Sequence, residues 1–315
     1  MPGKSHPLVH PADPAGIAQA AALLRAGKLV AVPTETVYGL AARADSTDAV
    51  AGIYRAKGRP DFNPLIVHVL SLADAAELAL VDNRAQALAT AFWPGPLTLV
   101  LPLREGAIVA PAVTAGLPTI ALRCPAHPAM RAVLAAAGVP LAAPSANRSG
   151  GVSPTTAAHV AQSLGGAVDL VLDAGPTERG IESTIVALRP DGWTVLRPGP
   201  VTEAQIIEVL QENPKSAAEN GAIEAPGQLA SHYAPGKPVR LNAAAAGPDE
   251  FLIGFGPVGG HTNLSVSGDL AEAAARLYAC LHDAASAAHP RVAVAPVPTT
   301  GIGAAINDRL ARAAA

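Results

Sequence analysis

The 315-residue chain has 22 lysines and arginines against 25 aspartates and glutamates, a formal net charge of −3, and is half hydrophobic and 15% charged. That composition supplies a large core and excludes the disordered class, and the slight acidity counts against a chain that holds nucleic acid chiefly by overall charge. Two cysteines, Cys124 and Cys280, make neither a disulfide framework nor a thiolate metal cluster.

A reducing cytoplasm is therefore the expected location, and the first residues, MPGKSHPLVHPADP, lack the apolar core of a signal peptide. No apolar run reaches membrane-spanning length, so no membrane partner is expected. At this length about two domains are expected.

Asp13 and Pro14 make a cap and first-turn pair, and Gly27 a stop, for a helix carrying Ile17, Ala21 and Leu24. A strand over 28–32 runs into PTETVYGL (residues 33–40), a turn unusually rich in hydroxyls for its apolar flanks. Those groups either satisfy the backbone of the turn or line a pocket floor. Residues 45–47 offer caps for a helix with Val50, Ile53 and Tyr54 at helical spacing, and Gly58 suits the position past its end. KGRPDFNPLIVHVL (residues 57–70) then reads as a proline-stiffened loop and a buried strand. Leu65, Val67 and Val69 share one face of that strand; Ile66, His68 and Leu70 share the other. A rigid cationic loop at a strand end is where an α/β protein would hold phosphate, although these residues alone equally allow a solvated basic turn.

Helices are expected over 72–80 and 83–92, followed by a proline–glycine turn and β-rich run in WPGPLTLVLPL (residues 93–103). Next come a strand over 119–123, a helix with Met130, Val133 and Leu134 stopping at Gly138, and a strand over 139–143. That strand empties into PSANRSGG (residues 144–151), after which Ser153 and Pro154 read as the cap and first turn of a helix ending near Gly165. Strands over 168–172, 183–188 and 194–196 follow, the first two separated by DAGPTERGIES.

Thr202 and Gln205 have capping-box spacing for a helix to about Gln211. From 212 to 236 periodicity lapses over more residues than an ordinary connection needs, so the stretch is a linker or a functional loop. Its HYAP (residues 232–235) puts a histidine and an aromatic where a spacer needs neither. The tail resumes an α/β rhythm, with strands over 239–241, 251–253 and 291–295 and helices over 270–285 and 304–313. Three parts are expected: 1–211, a linker or lid over 212–237, and a smaller α/β domain over 238–315.

Several familiar signatures are missing. GFGPVG (residues 254–259) has dinucleotide-binding spacing, but no helix opens at its third glycine. There is no P-loop, the histidines (His6 and His10 included) show no zinc spacing, and without a G-x-S-x-G elbow Ser145 and Ser183 have no claim as acyl nucleophiles. What remains is a series of polar loops at the ends of expected strands: PTETVYGL, KGRPDFNP, the end of 119–123, PSANRSGG, GIESTIV and LRPG. They point Lys57, Arg59, Arg123 and Arg197 toward one polar cavity, suited to gripping carboxylate or phosphate and to catalysis by position and charge.

Taken in order, PTETVYGL, KGRP with NPL, WPGPLT, PSAN with SG, STIV and LRPG resemble the YrdC-like family, and PGQLASHYAP with the α/β tail resembles its two-domain form. The resemblance implies an α/β protein with a twisted mixed-sheet catalytic domain over 1–211 and a smaller Rossmann-like domain over 238–315. It implies a nucleotidyltransferase that makes threonylcarbamoyl-adenylate and pyrophosphate from L-threonine, bicarbonate and ATP. Mg2+ would accompany ATP, through ligands the sequence does not identify, and a separate system would pass the product's threonylcarbamoyl group to tRNA. Direct tRNA contact and oligomeric state are left open.

Carried over motif by motif, Thr36, His68, Arg123, Ser183 and the backbone of Ala143 would line a threonine pocket. Arg59, Asn63, Thr119, Ser145, Ser153, Arg197 and Tyr233 would hold ATP, with Lys57 and Arg59 as the catalytic charges near the phosphates. Two alternatives stay open: a carbamoyl-adenylate-forming maturation enzyme of the same family, whose zinc finger two cysteines cannot supply, and a non-enzymatic RNA-binding module.

Overall fold

Two sheets divide the computed structural model, which describes residues 7–216 and 223–315. The larger has ten strands: β1 (Leu8–Pro11), β2 (Val30–Val32), β3 (Gly39–Arg43), β4 (Ile66–His68), β5 (Leu97–Pro102), β6 (Thr119–Arg123), β7 (Leu141–Ala142), β8 (Leu170–Asp173), β9 (Thr184–Arg189) and β10 (Gly192–Arg197). Their order is β1-β8-β2-β3-β7-β4-β6-β5-β9-β10. Pairing is parallel for β1–β8, β2–β8, β4–β6 and β5–β9 and antiparallel at the other junctions. This is the mixed-sheet α/β architecture that the sequence implied.

The alternation of β4 sets the geometry of everything that follows. Leu65, Val67 and Val69 enter the main hydrophobic core, beside Leu99 and Leu122 of the neighbouring strands. Ile66 and His68 consequently face the other way, as a period of two requires. The helix Thr47–Lys57 delivers the chain to this strand: Ser46 accepts from the Ala49 amide at its start, and Gly58 takes the left-handed conformation at its end.

Some expected boundaries move. The helix expected over 72–80 stops at Ala76, because the chain beyond pairs with the end of β5: Ala79 bridges Leu103, and the Leu80 amide donates to the Pro102 carbonyl. Ser153 does not cap a helix. The helix is Ala157–Leu164, capped by Thr156, while Ser153 is fully buried and its hydroxyl is spent on Glu182 at 2.5 Å. PTETVYGL is a turn only as far as Tyr38; its Gly39 and Leu40 already belong to β3, which pairs antiparallel with β2.

The tail forms a four-stranded parallel sheet, β11 (Val239–Arg240), β12 (Glu250–Gly254), β13 (Thr262–Asn263) and β14 (Arg291–Val294), in the order β11-β14-β12-β13. The helices Leu270–Ser286 and Gly303–Ala314 bury Leu277, Leu281, Ile306 and Leu310 in its core. Val37, Val152, Ile181 and Tyr233 belong to the same apolar cluster, so the tail packs onto loops of the first sheet and onto the linker. The linker expected over 212–237 lies partly outside the described residues, at 217–222; its described residues carry no helix or strand. Among the described residues no helix is long and apolar enough to cross a membrane.

Candidate active site

Strand register brings the first site residues together. His68 of β4 sits opposite Arg123 of β6, which in turn sits opposite Thr98 of β5, so the three stand in a row on the face turned away from the main core. Arg123 is aimed rather than free. Its Nη2 donates to Glu35 at 2.6 Å, its Nη1 to the Thr36 hydroxyl at 2.9 Å and its Nε to the Gly95 carbonyl at 3.3 Å. Burial alone would raise the Glu35 carboxyl, but the charge and hydrogen bond of Arg123 outweigh it and hold the group ionised.

Both readings of the PTET turn hold at once. Thr34 satisfies the turn, accepting from the Thr36 and Val37 amides and donating to the Val37 carbonyl, while Thr36 faces the cavity.

The KGRP loop is likewise locked. Arg59 donates to Asn63 Oδ1 and to the Pro64 carbonyl, both at 2.7 Å, and burial draws its pKa down to about 10. Lys57 Nζ donates to the carbonyls of Ser145 and Asn147 at 2.5 and 2.6 Å, and burial followed by the neighbouring Arg59 charge pushes it well below the usual lysine range. Lys57 thus ties the KGRP loop to the PSAN loop. On the far side Arg197 donates to the Ser183 carbonyl from both Nε and Nη2, at 3.1 and 3.0 Å, and the Ser183 hydroxyl meets Thr98 at 2.7 Å.

These groups line a small cavity of about 40 Å3. Thr36, Arg59, His68, Arg123, Ala143, Ser145, Ser183, Arg197 and Tyr233 are on its wall. Four expected site residues are not. Asn63 and Lys57 stand behind Arg59 and Ser145, Ser153 stands behind Glu182, and Thr119 is half-buried at the end of β6 away from Arg123. A larger groove, about 370 Å3, runs along Leu70, Leu78, Leu134 and Val139, but among the described residues Asp74 and Glu77 are its sole charged side chains. The chemistry lies in the smaller space.

The structure adds wall residues that the motifs did not assign: Thr34, Glu182, Gly227 and His232. Glu182 accepts from Ser153, from Tyr278 at 2.7 Å and from Arg309 at 3.1 Å; burial opposes ionisation, but Arg309 and Arg197 bring it to about 2. In the sequence Glu182 falls within GIESTIV, one of the polar loops, with no role of its own assigned. His68 and His232 each carry a buried Nδ1 with no partner among the described residues, and burial draws both pKa values down to about 3. Both are neutral near pH 7, each with a ring nitrogen unpaired.

Arginines in paired hydrogen bonds, neutral histidines and hydroxyls on the face of a mixed sheet make a site suited to anions and small polar molecules. Two family models match the chain: one described as telomere recombination (Sua5/YciO/YrdC), over residues 22–199, and one described as the threonylcarbamoyl-AMP synthase C-terminal domain, over 201–315. A threonylcarbamoyl-AMP synthase of Bacillus subtilis is 41% identical, the alignment covering 95% of this chain and 92% of that one. The crystal structure of Pyrococcus abyssi Sua5 complexed with L-threonine matches with a TM-score of 0.88 and 34% identity, over 98% of this chain and 97% of that one. E. coli YciO, at a TM-score of 0.54 and 25% identity, accounts for 62% of this chain and 98% of its own. This chain belongs to the Sua5/YciO/YrdC family, in the form that carries the threonylcarbamoyl-AMP synthase C-terminal domain.

Proposed function

We infer that the protein is an L-threonylcarbamoyladenylate synthase, joining L-threonine, bicarbonate and ATP into threonylcarbamoyl-AMP and pyrophosphate for the modification of tRNA. The observation that carries this reading is that one cavity wall holds both sets of groups the reaction needs. Arg123, Thr36, His68 and Ser183 can bond a carboxylate, an amine and a hydroxyl; Arg59, Arg197, Ser145 and Tyr233 can hold a nucleotide and its phosphates. Asn63, Ser153 and Lys57 support that wall from behind, and Thr119 is not part of it. In this reading residues 1–211 are the catalytic domain, 212–237 the lid and 238–315 the second domain.

The threonine amine attacks the carbon of bicarbonate and water leaves, giving a carbamate. A carbamate oxygen then attacks the α-phosphorus of ATP, and the bond from that phosphorus to the bridging oxygen breaks to release pyrophosphate. Two anions must meet in the second step, so the fixed guanidiniums of Arg59 and Arg197 offset their repulsion without reorganising. No protein nucleophile is needed. The unpaired nitrogens of His68 and His232 can bond the neutral amine or the carbamate.

Among the described residues no group of three or more His, Cys, Asp or Glu side chains could hold a metal ion, and both Glu182 oxygens are engaged. The described residues thus offer no ready-made cage of three or more such ligands. Mg2+ would enter this reading with ATP, where it would offset the charge of the phosphates. A separate transfer system in the cytoplasm would receive the product.

The test is mass spectrometry of the products formed from ATP, threonine and bicarbonate. Threonylcarbamoyl-AMP with equimolar pyrophosphate is expected. Carbamoyl-adenylate formed in a parallel reaction with carbamoyl phosphate in place of threonine and bicarbonate would favour the maturation-enzyme alternative, which the match over the C-terminal domain speaks against.

A further inference from the structure

Arg309 lies on the last helix, Gly303–Ala314, with 0% of its surface exposed. Burying a guanidinium is unfavourable unless it is well paired, and such pairs are often better replaced by apolar side chains if stability is all they serve. A role in geometry is the alternative. Its partners belong to the other domain: Nε donates to Glu182 at 3.1 Å and Nη1 to the Pro198 carbonyl at 2.7 Å. Asp308, its neighbour, accepts from the same Nη1 at 2.9 Å. Tyr278, on the tail helix Leu270–Ser286, donates to the same Glu182 oxygen at 2.7 Å.

Both tail residues also grip the linker. The Arg309 guanidinium lies 5.5 Å from the centroid of the Tyr233 ring, and Tyr278 stacks on that ring at 5.5 Å. Tyr233 has a φ of 64°, a left-handed conformation that a bulky side chain keeps only when its surroundings hold it. The loop bearing Glu182 is clamped to the tail as well: a Cβ at Gly180 would lie 2.3 Å from the Ala275 carbonyl oxygen, so only glycine lets the two backbones approach. Ser183, next along, holds Arg197 by its carbonyl and hydroxyl. Arg123, Glu35 and Thr36 share no hydrogen bond with Arg309 or Tyr278 among the described residues.

We propose that Arg309 and Tyr278 are positioning residues: by fixing Glu182 and Tyr233 they set the nucleotide-holding part of the cavity, so the tail domain completes a site whose other walls it does not form. The proposal rests on the synthase reading and deepens it, giving the tail a part in ATP binding but not in threonine binding.

The experiment uses the full-length chain and measures ATP and threonine binding separately by calorimetry, beside turnover and melting temperature. Arg309→Met should weaken ATP binding about tenfold, the usual scale for losing a hydrogen bond to a charged group, with threonine binding changed less than about twofold. Arg309→Lys should recover part of the loss. Tyr278→Phe, which keeps the ring and its stacking, should weaken ATP binding about threefold, and it decides alone if Arg309→Met does not fold.

ATP binding unchanged in folded Tyr278→Phe and Arg309→Lys overturns the proposal. So does an equal loss for both ligands that follows the melting temperature, since that is what a purely structural role gives. An intact chain that binds ATP but makes no threonylcarbamoyl-AMP defeats the synthase reading while leaving the binding comparison to stand or fall by itself.

Discussion

On the floor of the cavity, Thr98, Arg123 and His68 stand in a row because β5, β6 and β4 pair in register, and Arg123 is aimed by Glu35 and Thr36 from the adjacent turn. On the roof, His232 and Tyr233 come from a segment without helix or strand, and Glu182 is held by residues 96 and 127 positions away in the chain. The floor is a by-product of the sheet and cannot be disturbed without disturbing the core. The roof is docked onto the tail instead, through Tyr278 and Arg309. Changes to the floor should therefore move amino-acid recognition and stability together, and changes to the roof should move nucleotide binding at smaller cost to the fold.

The largest effect expected of the floor is substrate discrimination. A site built to bond a hydroxyl rejects the analogue lacking it by on the order of 10⁴-fold, because its own polar groups are left unpaired. L-Threonine should outperform 2-aminobutyrate on that scale in kcat/KM, with serine between them. Equal turnover of the two would show that Thr36, His68, Arg123 and Ser183 do not read the hydroxyl.

Next comes the ion pair beneath it. Glu35 and Arg123 have side-chain exposures of 6% and 5%, so Glu35→Ala leaves a buried, uncompensated guanidinium. Breaking such a pair costs about 3–5 kcal/mol. The expected signature is a large fall in melting temperature together with a raised threonine KM. A raised ATP KM with unchanged threonine KM would break the division between floor and roof.

Arg59 sharpens the comparison, because it is a cationic group locked by its own loop. Arg59→Ala should cost ~3 kcal/mol of barrier, on the order of a hundredfold in threonine-dependent pyrophosphate release. Its bonds to Asn63 and the Pro64 carbonyl mean that stability falls modestly too. Near-normal turnover in the folded variant would remove Arg59 from the phosphates.

The two regions also differ in how much of them could be read in advance. The alternation of Leu65, Val67 and Val69 against Ile66 and His68 specifies which face is core, and Gly58 and Pro60 mark the loop that carries Arg59. Register does not follow from alternation, so nothing in the sequence places His68 opposite Arg123; the resemblance of the motifs supplied that grouping. Ser153 illustrates the limit. Ser-Pro is a good helix opening, yet its hydroxyl is spent on a carboxylate 29 residues on, and Thr156 three positions later caps instead. Arg309 carries no local signal: an arginine on an amphipathic helix reads as solvated, and only packing against Glu182 and Tyr233 buries it.

A pH series tests both regions at once. His68 on the floor and His232 on the roof have pKa values of about 3, below the ordinary 6.5, because burial disfavours the charged ring. The unfolded chain therefore binds the proton more readily. The contribution of each group is complete above pH 6.5 and is lost as pH falls toward 3. Between pH 6.5 and 5 each histidine should remove about 2 kcal/mol, read as a steepening fall in melting temperature. His68→Gln should flatten that fall by one histidine's share, and an unchanged slope would show that His68 already charges in the folded protein.

The smallest effect, and the one that isolates the roof, comes from Gly227. It has a φ of 88°, and a Cβ there would lie 2.8 Å from Arg197 Cδ and 3.0 Å from the Tyr233 hydroxyl. Arg197 cannot swing aside cheaply, since its guanidinium is buried and bonded to Ser183 and to the Pro226 carbonyl. The linker must give way instead. Gly227→Ala should cost about 1–2 kcal/mol through the left-handed backbone alone, and the clash adds displacement of the segment that carries His232 and Tyr233. The added Cβ meets Arg197 and Tyr233 first, so the threonine dissociation constant should change less than that for ATP, which should rise, and protease cleavage between residues 225 and 231 should quicken in the free protein. With ATP and threonine bound, cleavage should slow in the wild type and slow less in the variant, because the displaced linker closes over the nucleotide less completely. Equal protection in both would mean that the linker rests on the tail alone and that the roof does not depend on how it meets Arg197.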